Sequence, residues 1–135
     1  MAGRAFVGAQ VVNEPNSLLR NDLVTPTPEP ARRFYAAVFD LTLDANPDLP
    51  GLDFAFLRRP DGHEIGGIMG DPAAGSSRWG TLFEVADTDA VVARALAAGG
   101  SAGAPSNFVY GRIAEIIDPF GAQFSIGARP PGQKS

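Results

Sequence analysis

Three charged side chains stand on one face of two segments whose sequences are typical of β-strands. Arg20 and Asp22 lie two residues apart in SLLRNDLVT (17–25), and Glu84 lies in RWGTLFEVA (78–86). Side chains of a strand point to the same side at every second residue, so Arg20 and Asp22 share a face. An arginine there can bind a carboxylate or phosphate, and the acids can bind hydrogen-bond donors of a small ligand.

Two other interpretations of these charges remain open. In the first, Arg20, Asp22 and Glu84 form an ion-pair cluster, and the three side chains neutralise one another in a concavity that water partly fills. Alternatively, Asp22 and Glu84 form a catalytic carboxylate pair whose pKa values are separated by shared burial.

His63 is the only imidazole in the chain. One interpretation makes it a metal ligand or a general base, because its pKa lies near neutrality. The other treats it as an ordinary polar residue of a hairpin turn, because it directly follows Gly62. We prefer the second, since a single histidine cannot build a site of several imidazoles.

The turn before His63 belongs to a repeat. Pro60-Asp61-Gly62 and Pro119-Phe120-Gly121 are both Pro-x-Gly turns, with an offset of 119 − 60 = 59 residues. The candidate helix caps Thr27 and Asp87 recur at almost the same offset, 87 − 27 = 60 residues. The chain is therefore predicted to contain an internal duplication.

Each half of the duplication has the pattern of one helix and four strands. The helices follow Thr27 and Asp87, with an apolar stripe of Ala31, Phe34, Tyr35 and Val38 in the first. The predicted strands cover 17–25, 41–44, 52–59 and 63–69 in the first half, and 78–86, 101–103, 108–117 and 122–127 in the second. The sequence predicts an α+β fold of two β-α-β-β-β modules.

Composition excludes several classes of function. The net charge of −4 and the pI near 4.8 argue against a nucleic-acid partner, which requires a basic surface. No apolar run approaches the roughly 20 residues of a membrane span, and no signal-peptide pattern opens the chain. The absence of cysteine excludes thiolate metal sites. The expected location is cytoplasmic, with no membrane partner.

Three stretches carry a resemblance to a known family: TPTPEPARRFYAAVF (25–39), WGTLFEVADTDAVVARALAAGG (79–100) and DPFGAQFSI (118–126). Together with the paired modules, they resemble the vicinal oxygen chelate superfamily of glyoxalases, bleomycin-resistance proteins, fosfomycin-resistance proteins and extradiol dioxygenases. The resemblance implies one curved, cup-like mixed sheet with helices outside and a ligand inside. It divides the chain into an N-terminal arm (1–16), module one (17–70) and module two (78–127), followed by a disordered tail (128–135).

The resemblance also implies where a divalent metal would be held. The corresponding positions are Arg20, Gly80, Gly66 or its neighbour, and Ser125. None is a good metal ligand, because divalent cations need carboxylate, imidazole or thiolate donors. We therefore predict no metal and no cofactor, and a cup with the ligand-binding residues Arg20, Asp22, Glu84 and Ser125.

These features leave two principal functional hypotheses, and a third, an interaction module without a ligand, stays open beside them. The first is a metal-free protein, related to glyoxalases and bleomycin-resistance proteins, that binds a small molecule in the cup. The alternative is a metal-dependent lyase, isomerase or dioxygenase of the superfamily. We also predict a homodimer, because the arm FVGAQVV (6–12) would otherwise expose Phe6, Val7, Val11 and Val12 to water. The competing possibility is that the arm folds back on its own sheet.

Overall fold

The first half of the chain folds as the predicted β-α-β-β-β module. The structure is a computed structural model, and it describes residues 7–45 and 52–130. The elements of this module are β1 (Ser17–Thr25), α1 (Pro28–Phe39), β2 (Thr42–Ala45), β3 (Asp53–Arg58) and β4 (Glu64–Gly70).

The second half repeats this order with one additional strand. Its elements are β5 (Arg78–Glu84), α2 (Thr88–Ala97), β6 (Ser101–Ala102), β7 (Ser106–Phe108), β8 (Gly111–Ile117) and β9 (Gln123–Ala128). The prediction of one strand over 108–117 is wrong, because β7 and β8 form a hairpin in which Phe108 pairs with Gly111. Gly111 has φ +149°, and a Cβ there would lie 2.3 Å from the carbonyl oxygen of Ala128, so glycine is required.

The nine strands of the described residues belong to one mixed sheet, and the α+β fold class is confirmed. The strand order is β2-β3-β4-β1-β5-β9-β8-β6, with β7 paired to β8. The two modules join through the antiparallel pair β1 and β5, while β1 pairs with β4 and β5 pairs with β9 in parallel. The sheet is curved and open. No described helix is long and apolar enough to cross a membrane.

The two Pro-x-Gly turns occupy equivalent places, before β4 and before β9. The Gly62 N–H donates to the Arg59 carbonyl at 2.8 Å, and the Gly121 N–H donates to the Asp118 carbonyl at 3.2 Å. Both glycines have positive φ, +88° and +97°. Each turn therefore forms the hairpin that precedes the last strand of its module, as the repeat predicts.

The helices cover one face of the sheet and create a separate core in each module. In module one, Ala31 and Tyr35 of α1 pack on the core cluster of Leu23, Leu41, Leu57 and Ile68. In module two, Val91, Val92 and Ala95 of α2 pack on the core cluster of Val85, Ala114, Ile116 and Ile126. The opposite, concave face of the sheet is left to form a cavity.

The apolar stripe predicted for α1 is partly wrong. Phe34 and Val38 are more than half exposed, whereas Arg32 is buried. Arg32 faces inward because its guanidinium is paired there, donating to the Asp53 carboxylate at 2.7 Å and to Glu29 at 2.8 Å.

Thr27 and Asp87 are the N-cap residues of α1 and α2, as predicted, but only Asp87 caps its helix through its side chain. The Thr27 side chain makes no capping hydrogen bond to the helix. The Asp87 carboxylate accepts from the Ala90 N–H at 3.1 Å.

The described end of the chain differs from the predicted disordered tail. Ala128 is the last residue of β9, and Arg129 is held by a buried ion pair, so ordered structure continues past 127. Residues 131–135 lie outside the described residues.

The N-terminal arm is not a strand over 7–11, and Val7 and Val11 are exposed. Val12 makes a single bridge to Leu18, and the Asn16 N–H donates to the Glu84 carbonyl at 2.7 Å. The chain therefore folds back onto its own sheet from Val12 onward. Phe6 lies outside the described residues.

Candidate functional site

A cavity of about 590 Å³, here called the cup, opens on the concave face of the sheet. Most of its lining is apolar and comes from both modules: Leu19, Leu52, Phe54, Phe56, Ile65, Gly66, Met69, Leu82, Phe108, Tyr110, Gly111, Ile113, Gly127 and Ala128. Its polar lining consists of Asn13, Arg20, Asp22, Glu64 and Arg129. The volume is that of an ordinary small-molecule site.

Arg20, Asp22 and Glu64 form one ion-pair cluster in the cup. The Arg20 Nε–H donates to both Asp22 carboxylate oxygens, at 3.1 and 3.0 Å, and the Nη2–H donates to Oδ1 at 2.9 Å. The Nη1–H of Arg20 donates to Glu64 Oε2 at 2.6 Å. Two carboxylates surround one guanidinium, so the cluster has a net charge of −1 when both acids are ionised.

Two phenylalanine rings pack against the Arg20 guanidinium, and a glycine leaves the space that one of these rings occupies. The guanidinium carbon of Arg20 lies 5.7 and 5.5 Å from the ring centroids of Phe54 and Phe56. Gly67, which pairs with Asp22 across β1 and β4, has no side chain. A Cβ at Gly67 would lie 2.2 Å from the Phe54 ring, so the glycine makes room for that ring.

Burial changes the acidity of Asp22. Desolvation raises the pKa of this carboxyl above its ordinary value of 3.8, while the charge and hydrogen bonds of Arg20 and the Gly67 N–H oppose the rise. Asp22 therefore retains a proton to higher pH than a carboxyl in water.

A bulge in β1 brings one further residue into the cup. The pairing of β1 with β5 shifts between Leu18 and Arg20, so Leu19 is the extra residue. Strict alternation places Leu19 on the helix side, but the bulge makes it part of the cavity lining.

Glu84 was predicted to bind ligand, but it is not among the residues that line the cup. Its side chain is only 8% exposed, and both carboxylate oxygens accept from Arg129, at 2.8 and 3.1 Å. Arg129 also donates to the Asn13 carbonyl at 2.6 Å. Glu84 thus anchors Arg129, which lines the cup in its place.

Ser125 was also predicted in the site, and it too is absent from the cup lining. It pairs with Leu82 in parallel register and so shares the concave face, two residues before Gly127. His63 lies after the Gly62 turn, with 80% of its side chain exposed and Nδ1 3.2 Å from Asp61. The structure therefore brings together Arg20 and Asp22, but not Glu84, Ser125 or His63.

The cup does not provide donors suited to a family-type metal centre. Over residues 7–45 and 52–130, no group of three or more His, Cys, Asp or Glu side chains could hold a metal ion. The two cup carboxylates, Asp22 and Glu64, both accept from Arg20, whose charge repels a divalent cation. The residues at the implied metal positions supply no imidazole or carboxylate.

Sequence reasoning missed Glu64, Phe54, Phe56 and Arg129 as cup residues. Phe54 and Phe56 alternate in the predicted third strand, and their alternation was available as a signal. The pairing of β3 with β4 shifts between Leu57 and Arg58, and this shift turns Glu64 toward the cup. Strict alternation of side chains along a strand does not predict such a shift. Arg129 falls within the segment that was predicted to be a disordered tail.

Comparisons with known proteins find relatives in sequence and in structure. No protein-family model matches it. It is 39% identical over 133 residues to CFP32 of Mycobacterium tuberculosis, named as a provisional glyoxylase, covering 94% of this chain and 49% of the relative. It is 36% identical over 135 residues to the anthracycline biosynthesis protein DnrV of Streptomyces peucetius, covering 93% and 49%. The chain thus spans about half the length of these relatives.

Solved structures share the fold at lower sequence identity. Methylmalonyl-CoA epimerase of Mycobacterium tuberculosis matches with a TM-score of 0.60 and 16% identity, covering 84% of this chain and 88% of the other. The Mn(II)-bound glyoxalase of Novosphingobium aromaticivorans matches with a TM-score of 0.57 and 17% identity, covering 82% and 38%.

The paired modules, the shared curved sheet and these relatives together define a class of protein. The chain shares this fold and this sequence likeness with members of the vicinal oxygen chelate superfamily.

Proposed function

We propose that this domain binds a small organic molecule in the cup without a metal ion. The observation that carries the proposal is the cup itself, with apolar walls from both modules and one charged cluster, Arg20–Asp22–Glu64. An apolar concavity with few, convergent polar groups is the usual form of a ligand site. Arg20 and Asp22 are the predicted site residues that would face the ligand, and Asn13, Glu64 and Arg129 complete the polar lining.

The names of the relatives support a small-molecule role but differ in chemistry. One relative is named as a provisional glyoxylase and another as an anthracycline biosynthesis protein. A shared fold does not determine the reaction. Both names concern chemistry on small molecules, and for this domain we propose binding of a small molecule, as in the bleomycin-resistance proteins that the sequence resembles.

The alternative function is that of a metal-dependent enzyme of the superfamily. It requires a metal centre, and the donor set in the cup does not fit one. Elemental analysis of protein purified without a metal-affinity tag distinguishes the two. The proposal predicts less than stoichiometric metal, and stoichiometric zinc, nickel, iron or manganese that survives dialysis would contradict it.

Ligand binding is tested by filling the cup. A chemically diverse library is screened by thermal shift, and each hit is retested on Gly127→Leu and on Gly75→Leu. Gly127 lines the cup, and a Cβ there would meet Leu82 at 3.4 Å and Ile113 at 3.5 Å, so a leucine projects into the cavity. Gly75 has nothing within 4 Å of an added Cβ, which makes it a matched control.

The proposal predicts hits that stabilise the wild type and Gly75→Leu but lose at least about tenfold in affinity on Gly127→Leu, because steric exclusion removes the site. Hits that bind both glycine variants equally, or a complete absence of hits, would contradict it.

We also propose that the protein is a cytoplasmic homodimer in which the part of the N-terminal arm before Val12 packs on the partner, while the residues from Val12 onward stay on their own sheet. Val7 and Val11 are exposed in the single chain, and burial of such side chains is favourable. Sedimentation of the full chain and of a variant beginning at Val12 tests this. A dimer that becomes monomeric on truncation supports exchange of the arm, whereas a monomeric full chain excludes it.

A further inference from the structure

Three aromatic rings in contact, Phe54, Phe56 and Tyr110, form one wall of the cup, and Phe108 also lines it. Phe54 and Phe56 come from β3, and their rings lie 5.2 Å apart at 82°. Tyr110, from the β7–β8 turn, lies 6.4 Å from Phe56 at 69°. Phe108 and Tyr110 are each more than two-fifths exposed. Such a wall offers ring faces and edges to a flat aromatic ligand.

Beside this wall, the charged groups of the cup leave one negative charge in excess. Arg129 and Glu84 neutralise each other, and Arg20 neutralises only one of Asp22 and Glu64. Glu64 has one oxygen, Oε2, engaged by Arg20. Among the described residues, no hydrogen bond reaches its other oxygen, Oε1. Glu64 can therefore accept a further donor without giving up its bond to Arg20.

Arg20 is poorly placed to bind an anion. Its Nε, Nη1 and Nη2 atoms already donate to Asp22 and Glu64. Its guanidinium lies against the rings of Phe54 and Phe56. An anionic ligand would have to displace a carboxylate from Arg20 or lie beside the excess negative charge, and both cost free energy.

We propose that the cup selects a flat, fused-ring aromatic molecule that carries a protonated amine. The rings lie against Phe56, Phe108 and Tyr110, and the ammonium donates to Glu64. This inference rests on the proposed function, because it names the ligand class of the same site. The Phe56 ring already has the guanidinium groups of Arg20 and Arg58 at 5.5 and 5.6 Å, and Arg58 is paired with Asp44, so the attraction for the ammonium comes from Glu64.

Three anthracenes with the same ring and different charge test the inference. One carries an aminomethyl group, one a hydroxymethyl group and one a carboxylate, and their own fluorescence reports binding at pH 7. The proteins are wild type, Glu64→Gln, Phe56→Leu and the control Glu115→Gln. Glu115 is an exposed acid on β8 that does not line the cup, so its variant reproduces the change in net charge alone.

The wild type is expected to bind the amine at least about tenfold more tightly than the alcohol, the size of one charge-assisted hydrogen bond. Glu64→Gln removes most of this preference but leaves the affinity for the alcohol within about twofold. Phe56→Leu weakens all three compounds together, since it removes a ring and keeps the charges. Glu115→Gln behaves as wild type, and circular dichroism of each variant verifies folding.

Failure of this inference is distinguishable from failure of the proposed function. Equal binding of the three anthracenes, or tightest binding of the carboxylate, overturns the selection for an amine but leaves a binding cup. If no anthracene binds while library hits are still excluded by Gly127→Leu, the aromatic class is overturned and the proposed function stands. If neither the anthracenes nor any library compound binds, both are overturned.

Discussion

The two modules are alike on the face that packs against the helices and different on the face that lines the cup. Each has a Pro-x-Gly hairpin before its last strand and one helix over a core cluster of four buried residues. In module one, the concave face carries Arg20, Asp22, Glu64 and two phenylalanines. In module two, the corresponding lining of β5, β8 and β9 consists of Leu82, Gly111, Ile113, Gly127 and Ala128.

This difference separates the residues that make the fold from those that make the site. The outer face must bury apolar side chains in both modules, so its pattern repeats. The concave face is under no such constraint, and it holds a charged half opposite an apolar half. Module two has an ion pair of its own, Glu84–Arg129, but that pair joins β5 to the chain after β9 and neutralises itself.

The largest expected effect comes from breaking the buried ion pair of module two. Arg129→Ala leaves the Glu84 carboxylate buried without its partner, which is expected to lower the free energy of unfolding by about 3–5 kcal/mol. Urea unfolding measures the change. Arg78→Ala is the control, because its pair with Glu115 is exposed and is expected to contribute about 1 kcal/mol or less.

If both arginine variants lose the same stability, the Glu84–Arg129 pair is not the anchor that the structure indicates. The double variant Glu84→Leu with Arg129→Met sharpens the result, since it removes both charges and should recover most of the loss.

An intermediate effect is expected from adding a methyl group to the glycine beside the charged cluster. Gly67→Ala places a Cβ against the Phe54 ring, so the ring must move, at a cost of about 1–3 kcal/mol in unfolding free energy. Gly127→Ala is the counterpart in module two, where the nearest atom would lie at 3.4 Å and the expected change is small. Equal effects at the two glycines would show that the Phe54 ring is not held over β4.

The smallest effect concerns the pH dependence of stability. Because the pKa of Asp22 is raised, its contribution is fully present below the unfolded value and is lost as pH rises through the folded value. Asp22→Asn removes this titration. The unfolding free energy of the variant should therefore rise relative to wild type as pH increases above the ordinary carboxyl value of 3.8. A difference between the two proteins that stays constant over this range would contradict the raised pKa.

The internal repeat made the fold predictable from the sequence. The site was less predictable, because it depends on a strand bulge and on a long-range ion pair, which the periodicity of the sequence does not reveal. Turns at Gly62 and Gly121 and the cap at Asp87 have local causes, and each is where the sequence indicates. Alternation placed Arg20 and Asp22 in the cup correctly. Alternation predicted that Leu19 lies on the helix side, and the bulge in β1 makes this wrong. It placed Glu84 on the concave face but could not show that Arg129 pairs with the Glu84 carboxylate and separates it from the cup. It could not reveal Arg129, because a contact over 45 residues depends on the folded chain.

The central claim is that a ligand binds in the cup, next to the charged cluster that module one contributes. The most direct measurement is a ¹H–¹⁵N spectrum, including arginine Nε–H signals, recorded during titration with aminomethylanthracene. The Arg20 Nε–H reports the cup, and the Trp79 Nε1–H, which donates to the Tyr35 hydroxyl at 3.1 Å, reports the helix side. We predict a saturable shift of the Arg20 signal with no change at Trp79. A shift at Trp79 with Arg20 unchanged would contradict the account.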